Sequence, residues 1–147
     1  MEKDFQNIIE RLLTSQGLGV LATYSGKHPY ATLVGFAVSE DHKSIFFATL
    51  RDTRKYRHIQ GNSAVSLLID NRSNRPDDFR DAEVLTVIGE AREVNGIERE
   101  QCLQLYLDKQ PFLREFVSDP NCALMRIDAK KYVLVSRFQE VMEIEIP

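Results

Sequence analysis

The sequence is poor in the residues that form covalent or metal-bound frameworks. Its 147 residues include no tryptophan, two cysteines and three histidines. Cys102 falls in a helical pattern and Cys122 at the start of a strand pattern, with no CxxC spacing and no histidine nearby in the chain. A disulfide framework or a thiolate metal site is therefore not indicated, and we expect both cysteines to be reduced, buried thiols.

Long apolar runs and a strong net charge are also missing. The longest apolar runs, such as residues 132–135, are far shorter than the roughly 20 residues that span a bilayer. Residues 1–4 (MEKD) lack the apolar stretch of a secretory signal. The formal net charge is only −3, so no overall basic field attracts nucleic acid. We therefore expect a cytoplasmic protein without nucleic-acid or membrane partners.

Common catalytic motifs are missing as well. The sequence has no GxSxG, P-loop or GxGxxG pattern, and its Ser, His and Asp residues are too scattered to indicate a triad. His28, His42 and His58 lack metal-ligand spacing, so we expect them to face solvent, and none is placed convincingly for haem ligation. The carboxylates at 77–78 are interpreted as solvent-exposed residues of a loop. Those at 143–145 are interpreted as charges on an edge strand that prevent it from pairing with another chain. Hydrolase, nucleotidase and metal-site functions are therefore not favoured.

Composition and length indicate one globular domain. Hydrophobic residues make up 43% and charged residues 28% of the chain, close to the average for folded proteins. A chain of 147 residues buries about two-thirds of its unfolded surface, which suits a single core. We therefore interpret residues 1–147 as one domain.

Periodicity predicts a mainly β fold. Apolar residues at helical spacing over 5–13 predict an amphipathic helix that ends at Gln16-Gly17. Strand patterns then follow in hairpin order, with a polar loop at 70–81. Strands are predicted at 18–24, 30–38, 44–50, 64–69, 83–94, 123–127, 132–135 and 141–146, and further helices at 53–60 and 97–107. An antiparallel sheet that closes into a small barrel, an α+β fold with its helices outside, is the simplest way to bury these strands.

The most informative segment is 45–55, an apolar strand followed directly by a basic helix start. Thr49 and Thr53 supply hydroxyl groups, while Arg54 and Lys55 supply positive charge beside the unpaired amides of a first helical turn. A phosphate group would satisfy all of these donors. The alternative is a solvated helix start whose Arg and Lys face water, which is common among helices.

Glycines within the strands give a weaker indication of a ligand. Gly35 lies in the middle of the strand at 30–38, where glycine weakens a strand unless a backbone or ligand must approach closely. A flat ring could lie there. Gly19 and Gly89 are explained equally well as bends of a barrel. The glycines alone therefore do not identify a ligand.

Four segments of different sequence follow one another along the chain in a characteristic order. They are PYATLVGF at 29–36, IFFATLRDTRKYRHI at 45–59, AVSLLID at 64–70 and VLTVIGEAREV at 84–94. This order resembles the pyridoxamine 5′-phosphate oxidase-like family of FMN-binding split β-barrels. The resemblance implies that Thr49, Thr53, Arg54 and Lys55 contact the FMN phosphate and ribityl chain, and that the backbone of 33–36 lines the isoalloxazine ring. The full set of implied cofactor-binding residues is Thr32, Leu33, Val34, Gly35, Phe36, Ala48, Thr49, Thr53, Arg54, Lys55 and Arg72.

The sequence also departs from the family pattern. Thr32 stands where true pyridoxamine phosphate oxidases carry an arginine, and Val84 stands where the family often has a glutamine that reaches the flavin of the partner subunit. The family's C-terminal motif, with tryptophan and arginine for the substrate phosphate, is missing from a chain that ends at Pro147. The resemblance therefore implies a flavoprotein other than a true pyridoxamine phosphate oxidase.

The main hypothesis is an FMN-dependent oxidoreductase that works as a homodimer. A small barrel is filled by its own side chains, so a flavin must lie in a surface groove that a partner subunit would close. The loop at 70–81, with Arg72 and Arg75, is the expected cross-dimer element. One alternative is a non-catalytic protein that carries FMN, haem or a deazaflavin. The other is a structural dimer that has lost its cofactor site.

Overall fold

Antiparallel strands and short helices alternate in the computed structural model, which describes residues 2–136 and 140–147. The strands are β1 (Leu18–Tyr24), β2 (Pro29–Val38), β3 (Ser44–Leu50), β4 (Ala64–Asp70), β5 (Val84–Glu93), β6 (Cys122–Ser136) and β7 (Glu140–Glu145). The helices are α1 (Glu2–Ser15), α2 (Arg54–Gly61), α3 (Asp78–Asp81), α4 (Gly96–Lys109) and α5 (Arg114–Val117), with a 3₁₀ turn at Pro111–Leu113. No helix within the described residues is long and apolar enough to cross a membrane.

The strands form a closed barrel with one added strand. Hydrogen bonding orders them β3-β2-β1-β4-β5-β6-β7, and a further pairing of β3 with β6 closes six of them into a ring. Each of these pairings is antiparallel. The first half of β6 pairs with β3 and its second half with β7, which is why β7 lies outside the ring. The predicted antiparallel barrel with flanking helices is confirmed.

Strand β3 separates two apolar clusters. Ile45 and Phe47 point into the barrel, together with Leu12 of α1. Phe46 points to the opposite face, where it packs in an outer cluster with Tyr106 of α4. Because both faces of β3 are buried, its sequence is a continuous apolar run rather than an alternating one. Helices α1 and α4 therefore each cover a surface of the same barrel.

The barrel is open along part of one seam. Within the described residues, β2 pairs with β3 only where 36–38 face 45–47. Residues 29–35 of β2 continue along β1 instead, and residues 48–50 of β3 continue along β6. The two strands therefore diverge toward the start of α2. We call this opening, between 29–35 of β2 and 48–50 of β3, the split.

Three details differ from the sequence-based prediction. The predicted strands at 123–127 and 132–135 are one strand, β6, because the polar residues between them are accommodated at a bulge. The polar loop at 70–81 contains a short helix, α3. The histidines do not all face solvent: His42 and His58 are half-buried, and His58 Nδ1 lies 3.0 Å from Thr23 Oγ1. The predicted irregularity at Gly89 is confirmed.

Candidate functional site

The start of α2 places two hydroxyl groups together at the end of β3. Thr53 is the N-cap of α2, in an extended conformation with its Oγ1 accepting a hydrogen bond from the Tyr56 amide at 3.4 Å. Thr49 Oγ1 lies 2.8 Å from Thr53 Oγ1, and Thr49 is almost fully buried. The strand-to-helix junction therefore gathers these two hydroxyls. Both hydroxyls also contact the Leu50 carbonyl, so they hold the junction rigid as well as offering polar atoms to a ligand.

The first turn of α2 is positively charged. It contains no acidic residue, and Arg54 and Lys55 are its first two members. Arg54 is exposed and its guanidinium carbon lies 4.8 Å from the centre of the Tyr30 ring, on the far side of the split. Lys55 is half-buried, and burial lowers the pKa of its ammonium group. The unpaired amides and positive dipole end of α2 add to this field, so the junction favours an anion.

Beside Arg54 lies a basic pocket that the sequence did not reveal. It measures about 240 Å³, and its lining includes Lys27, His28, Arg54 and His58. Tyr30 also lines it, and the His58 ring lies edge-on to the Tyr30 ring at a centroid distance of 6.0 Å. Lys27 and His28 belong to the turn between β1 and β2, far from α2 in the chain. The packing of α2 against β1, where His58 contacts Thr23, brings that turn next to the helix.

Strand β2 offers mainly its backbone to the split. Val34 and Phe36 are buried in the barrel core, so their side chains are not available to a ligand. Leu33 points outward and is 61% exposed. Thr32 is half-buried and Ala48 of β3 faces the outer cluster. The implied contacts of 33–36 with a flavin ring are therefore restricted to main-chain atoms and the Leu33 side chain.

Gly35 is covered from outside by the segment that ends α4. A Cβ at Gly35 would meet Gln110 Nε2 and Leu113 Cδ1 at 3.5 Å, an ordinary contact. The Tyr106 hydroxyl donates a hydrogen bond to the Gly35 carbonyl at 3.3 Å. The lack of a side chain at Gly35 is thus not required by crowding within the chain. Its outer face is occupied by protein rather than open to a ring.

Gln110 is a buried polar residue that sequence reasoning missed. Its Nε2 donates to the Gly17 carbonyl at 2.8 Å and to the Phe36 carbonyl at 3.1 Å. Next to it, Lys109 Nζ donates to the Leu13 carbonyl at 2.9 Å and lies 3.9 Å from the centre of the Phe36 ring. The two side chains tie the end of α4 to α1 and to β2. No local pattern distinguishes them from exposed residues of an amphipathic helix.

Arg72 lies apart from the other predicted site residues. Its Nε contacts Asp70 Oδ1 at 3.0 Å, and with Leu33 it lines a groove of about 440 Å³ at the start of β1. The α2 junction lies beyond the other end of β1, at Thr23. Five residue steps along β1, from Leu18 to Thr23, separate the two regions by roughly 15–20 Å at the usual rise of a strand. Within one chain, Arg72 therefore does not join Arg54.

Comparison with known proteins identifies the family. The sequence profile described as pyridoxamine 5′-phosphate oxidase matches residues 5–141. The chain belongs to the pyridoxamine 5′-phosphate oxidase family. No curated protein sequence matches the chain. The antiparallel barrel described above is therefore the structure of a member of this family.

Solved structures with the same fold differ in the group named in their descriptions. A haem-binding protein from Mycobacterium smegmatis has a TM-score of 0.82 and 15% identity, covering 93% of this chain and 56% of its own. Campylobacter jejuni ChuZ has a TM-score of 0.83 and 13% identity, with coverage of 97% and 60%. An FAD-binding protein from Mesorhizobium loti has a TM-score of 0.70 and 17% identity, with coverage of 88% and 90%. The chain thus spans little more than half the length of the first two proteins.

Proposed function

We propose that the protein is an FMN-binding flavoprotein that transfers hydride or electrons through the bound flavin. The observation that carries the proposal is the junction of β3 and α2, which gathers two threonine hydroxyls and two basic side chains beside the split. The family assignment supports a flavin, and the FAD-binding protein of the same fold supports it further. The departures at Thr32 and Val84 argue for a reaction other than oxidation of pyridoxamine phosphate.

The residues present fit a phosphate group. Arg54 and Lys55 would supply charge-assisted hydrogen bonds, and the amides of the first turn of α2 would add uncharged donors. Thr49 and Thr53 would orient these groups, because their mutual hydrogen bond fixes the junction. Burial around Lys55 strengthens its attraction for an anion, since a buried charge gains from a partner. When bound, FMN would supply the redox chemistry, while the chain supplies binding and orientation.

The main chain of β2 fits the ring of a flavin. The Phe36 amide donates to the Gly17 carbonyl on the β1 side. Because neighbouring residues of a strand point their amides in opposite directions, the backbone groups of Leu33 are directed toward the split. Those of Gly35 point the same way, but its carbonyl already accepts the Tyr106 hydroxyl. The backbone of Leu33 would contact the polar edge of an isoalloxazine ring without any catalytic side chain.

We further propose that the protein acts as a homodimer. A row of directly opposed residues crosses the outward face of the sheet: Leu33, Val20, Leu68, Thr86 and Val133. The members of this row are apolar except for the threonine. Leu33, in the row, and Leu18, at the start of β1, are each more than half exposed. Val20, Leu68, Thr86 and Val133 are half-buried, and a contiguous, partly exposed apolar face of this kind is typical of an interaction surface. A second copy seated on it would bring its own Arg72 close to this face, in keeping with a cofactor site built from both chains.

Haem is the second candidate ligand. Two of the similar structures, those from Mycobacterium smegmatis and Campylobacter jejuni, have TM-scores above 0.8, and the description of the first names haem. In this chain His58 contacts Thr23 through Nδ1, which leaves Nε2 as its remaining ring nitrogen. His58 also lines the basic pocket beside Arg54. A haem site would therefore involve the same end of the barrel as the FMN proposal.

The absorption spectrum of the purified protein separates these ligands. Flavin bands that appear on adding FMN, at one FMN per chain, are expected. A strong Soret band after addition of haem, with no FMN binding, would assign the site to haem instead. A protein that binds neither ligand would contradict both candidates.

Riboflavin provides the matched control for the phosphate. It carries the same ring and ribityl chain but no phosphate, so its affinity should be roughly 10–100-fold lower than that of FMN. Equal affinities for riboflavin and FMN, measured by fluorescence titration, would show that α2 does not bind the phosphate. Anaerobic addition of NADH or NADPH to the FMN complex then tests for reduction of the flavin. A flavin that no donor reduces would indicate a carrier.

A further inference from the structure

A second basic pocket lies on the outer side of the barrel. It measures about 520 Å³ and lies between α4, α5 and the segment 118–122. Small-molecule sites usually measure about 300–1,000 Å³. Arg51, Arg99 and Arg114 contribute to its wall. Three guanidinium groups surround this one concavity, whereas the other cavities described above each have one arginine in their lining.

The charges of this pocket are only partly compensated. Arg51 is held by Glu93, whose Oε2 lies 2.5 Å from its Nη2, and by the Pro120 carbonyl. Arg99 donates to the Val117 carbonyl at 3.3 Å, a neutral partner. In the part of the chain that the structure describes, the guanidinium group of Arg114 has no hydrogen bond or salt bridge, and only its backbone is hydrogen-bonded. Two guanidinium groups therefore remain available to an anion.

Acidic residues do not cancel this excess. Of the described residues in the lining, Asp119 alone carries a carboxylate, and its Oδ1 accepts the Asn121 backbone amide at 2.8 Å. Burial opposes the ionisation of Glu93, but hydrogen bonds from Arg51 and Tyr56 outweigh it and lower the pKa of this carboxyl. Glu93 is thus ionised and forms a salt bridge with Arg51. Among the described residues that line the pocket, Asp119 is the one acid beside Arg99 and Arg114, and Glu93 outside the lining also attracts Arg99.

The remaining lining is apolar or neutral. Leu103 and Leu107 follow Arg99 at intervals of four residues, so they share its face of α4 and form an apolar wall. Asn95 precedes α4, and within the described part of the chain its side-chain amide makes no capping hydrogen bond to that helix. A ligand with an anionic end and an apolar body would satisfy both parts of this lining. Inorganic phosphate alone would contact only the basic part.

We propose that this pocket binds a small organic anion, in which a phosphoryl or carboxylate group contacts Arg99 and Arg114 and an apolar body lies against Leu103 and Leu107. The proposal does not rest on the flavin, because Thr49, Thr53, Arg54 and Lys55 do not line this pocket. A failure of FMN binding would leave it intact.

Calorimetric titration with phenyl phosphate and with benzoate, in the presence of saturating FMN, tests the proposal. We expect at least one of the two to bind more tightly than inorganic phosphate and more tightly than phenol. Tighter binding of phenyl phosphate would identify a phosphoryl group as the preferred anion, and tighter binding of benzoate would identify a carboxylate. The variants R114Q and R99Q should each weaken that binding roughly tenfold, the usual loss for one charge-assisted hydrogen bond.

Two variants outside the pocket serve as controls. Arg80→Gln removes an exposed arginine of α3 that pairs with Asp81, and it should leave the affinity unchanged. Lys55→Gln removes the charge at the α2 junction. If Lys55→Gln abolishes binding while R114Q and R99Q do not, the anion occupies the flavin-phosphate site and the proposal is overturned. The absence of binding to both ligands overturns it as well. Thermal unfolding verifies that R99Q is folded, and R114Q changes only an exposed side chain.

Discussion

Gly89 of β5 lies directly against the backbone of Asp128 of β6. A Cβ at Gly89 would come within 2.3 Å of the Asp128 carbonyl oxygen, a distance that real Cβ atoms do not reach. The pairing of the two strands shifts register at this point. We therefore expect Gly89→Ala to lower the free energy of unfolding by about 1–3 kcal/mol, because the two strands must move apart. Urea denaturation measures this change.

Gly61 supplies the control for this substitution. It is the last residue of α2, and nothing lies within 4 Å of a Cβ added there. Gly61→Ala should leave the free energy of unfolding unchanged or raise it by up to about 1 kcal/mol. Equal losses in both variants would mean that the close approach at Gly89 is not what requires glycine.

Arg54→Gln and Lys55→Gln should each weaken FMN binding roughly 10–100-fold, because each removes a charge-assisted hydrogen bond to the phosphate. Fluorescence titration of the apoprotein measures the dissociation constant. Arg57→Gln is the matched control: Arg57 lies on the same helix but is exposed and donates to the Asp52 carbonyl. If neither Arg54→Gln nor Lys55→Gln affects affinity, the phosphate is bound elsewhere.

Leu33→Glu should convert the proposed dimer into monomers. Leu33 lies opposite Val20 on the outward face of the sheet, and a carboxylate there would have to be desolvated when a second copy covers it. Sedimentation velocity over a range of concentrations measures the shift. Ile97→Glu, at an exposed apolar residue of α4, is the control and should remain dimeric. A wild-type monomer that binds one FMN tightly would rule out a cofactor site shared between chains.

Lys109 should make stability depend on pH in the alkaline range. Burial lowers its pKa from 10.5 to about 8, although the Leu13 carbonyl and the Phe36 ring favour the charged form. Because the folded-state pKa is the lower one, the unfolded chain binds more protons between these two values. The contribution of Lys109 to the free energy of unfolding is therefore constant below pH 8 and increases from about pH 8 to 10.5.

Comparison with Lys109→Met isolates this effect from other titrating groups. Urea denaturation of both proteins at several pH values gives the difference in their free energies of unfolding. That difference should move in favour of the wild type as the pH rises. A difference that stays flat across the range would show that the ammonium group keeps its usual pKa.

Much of the fold could be predicted because its signals are local. The apolar stripe of α1, the alternation in β7 and the bulge at Gly89 each follow from a few neighbouring residues. The continuity of β6 could not be predicted, since residues 128–131 have the composition of a turn. They remain in the strand because the bulge accommodates an extra residue while Ala129 and Tyr132 still reach the core.

In the candidate site, too, contacts between neighbouring residues could be predicted and contacts between distant segments could not. Thr49 and Thr53 are four residues apart across a strand-to-helix junction, so the sequence alone brings their hydroxyls together. The contact of Arg54 with Tyr30, and the two carbonyls bound by Gln110, depend on pairings between distant segments. A hydrophobic pattern cannot reveal such contacts. For the same reason, nothing in the sequence separated Arg72 from the α2 junction.

The closure of the ring between β3 and β6 also has a consequence for how the chain folds. Ser44 pairs with Asp128 across this seam, 84 residues further along the chain, whereas β1 and β2 are joined by a short turn. Closing so long a loop lowers the entropy of the chain, and contacts within short segments do not offset this loss. The hairpins should therefore form first and the seam last, with overall folding in milliseconds to seconds, as in other domains dominated by contacts between distant residues.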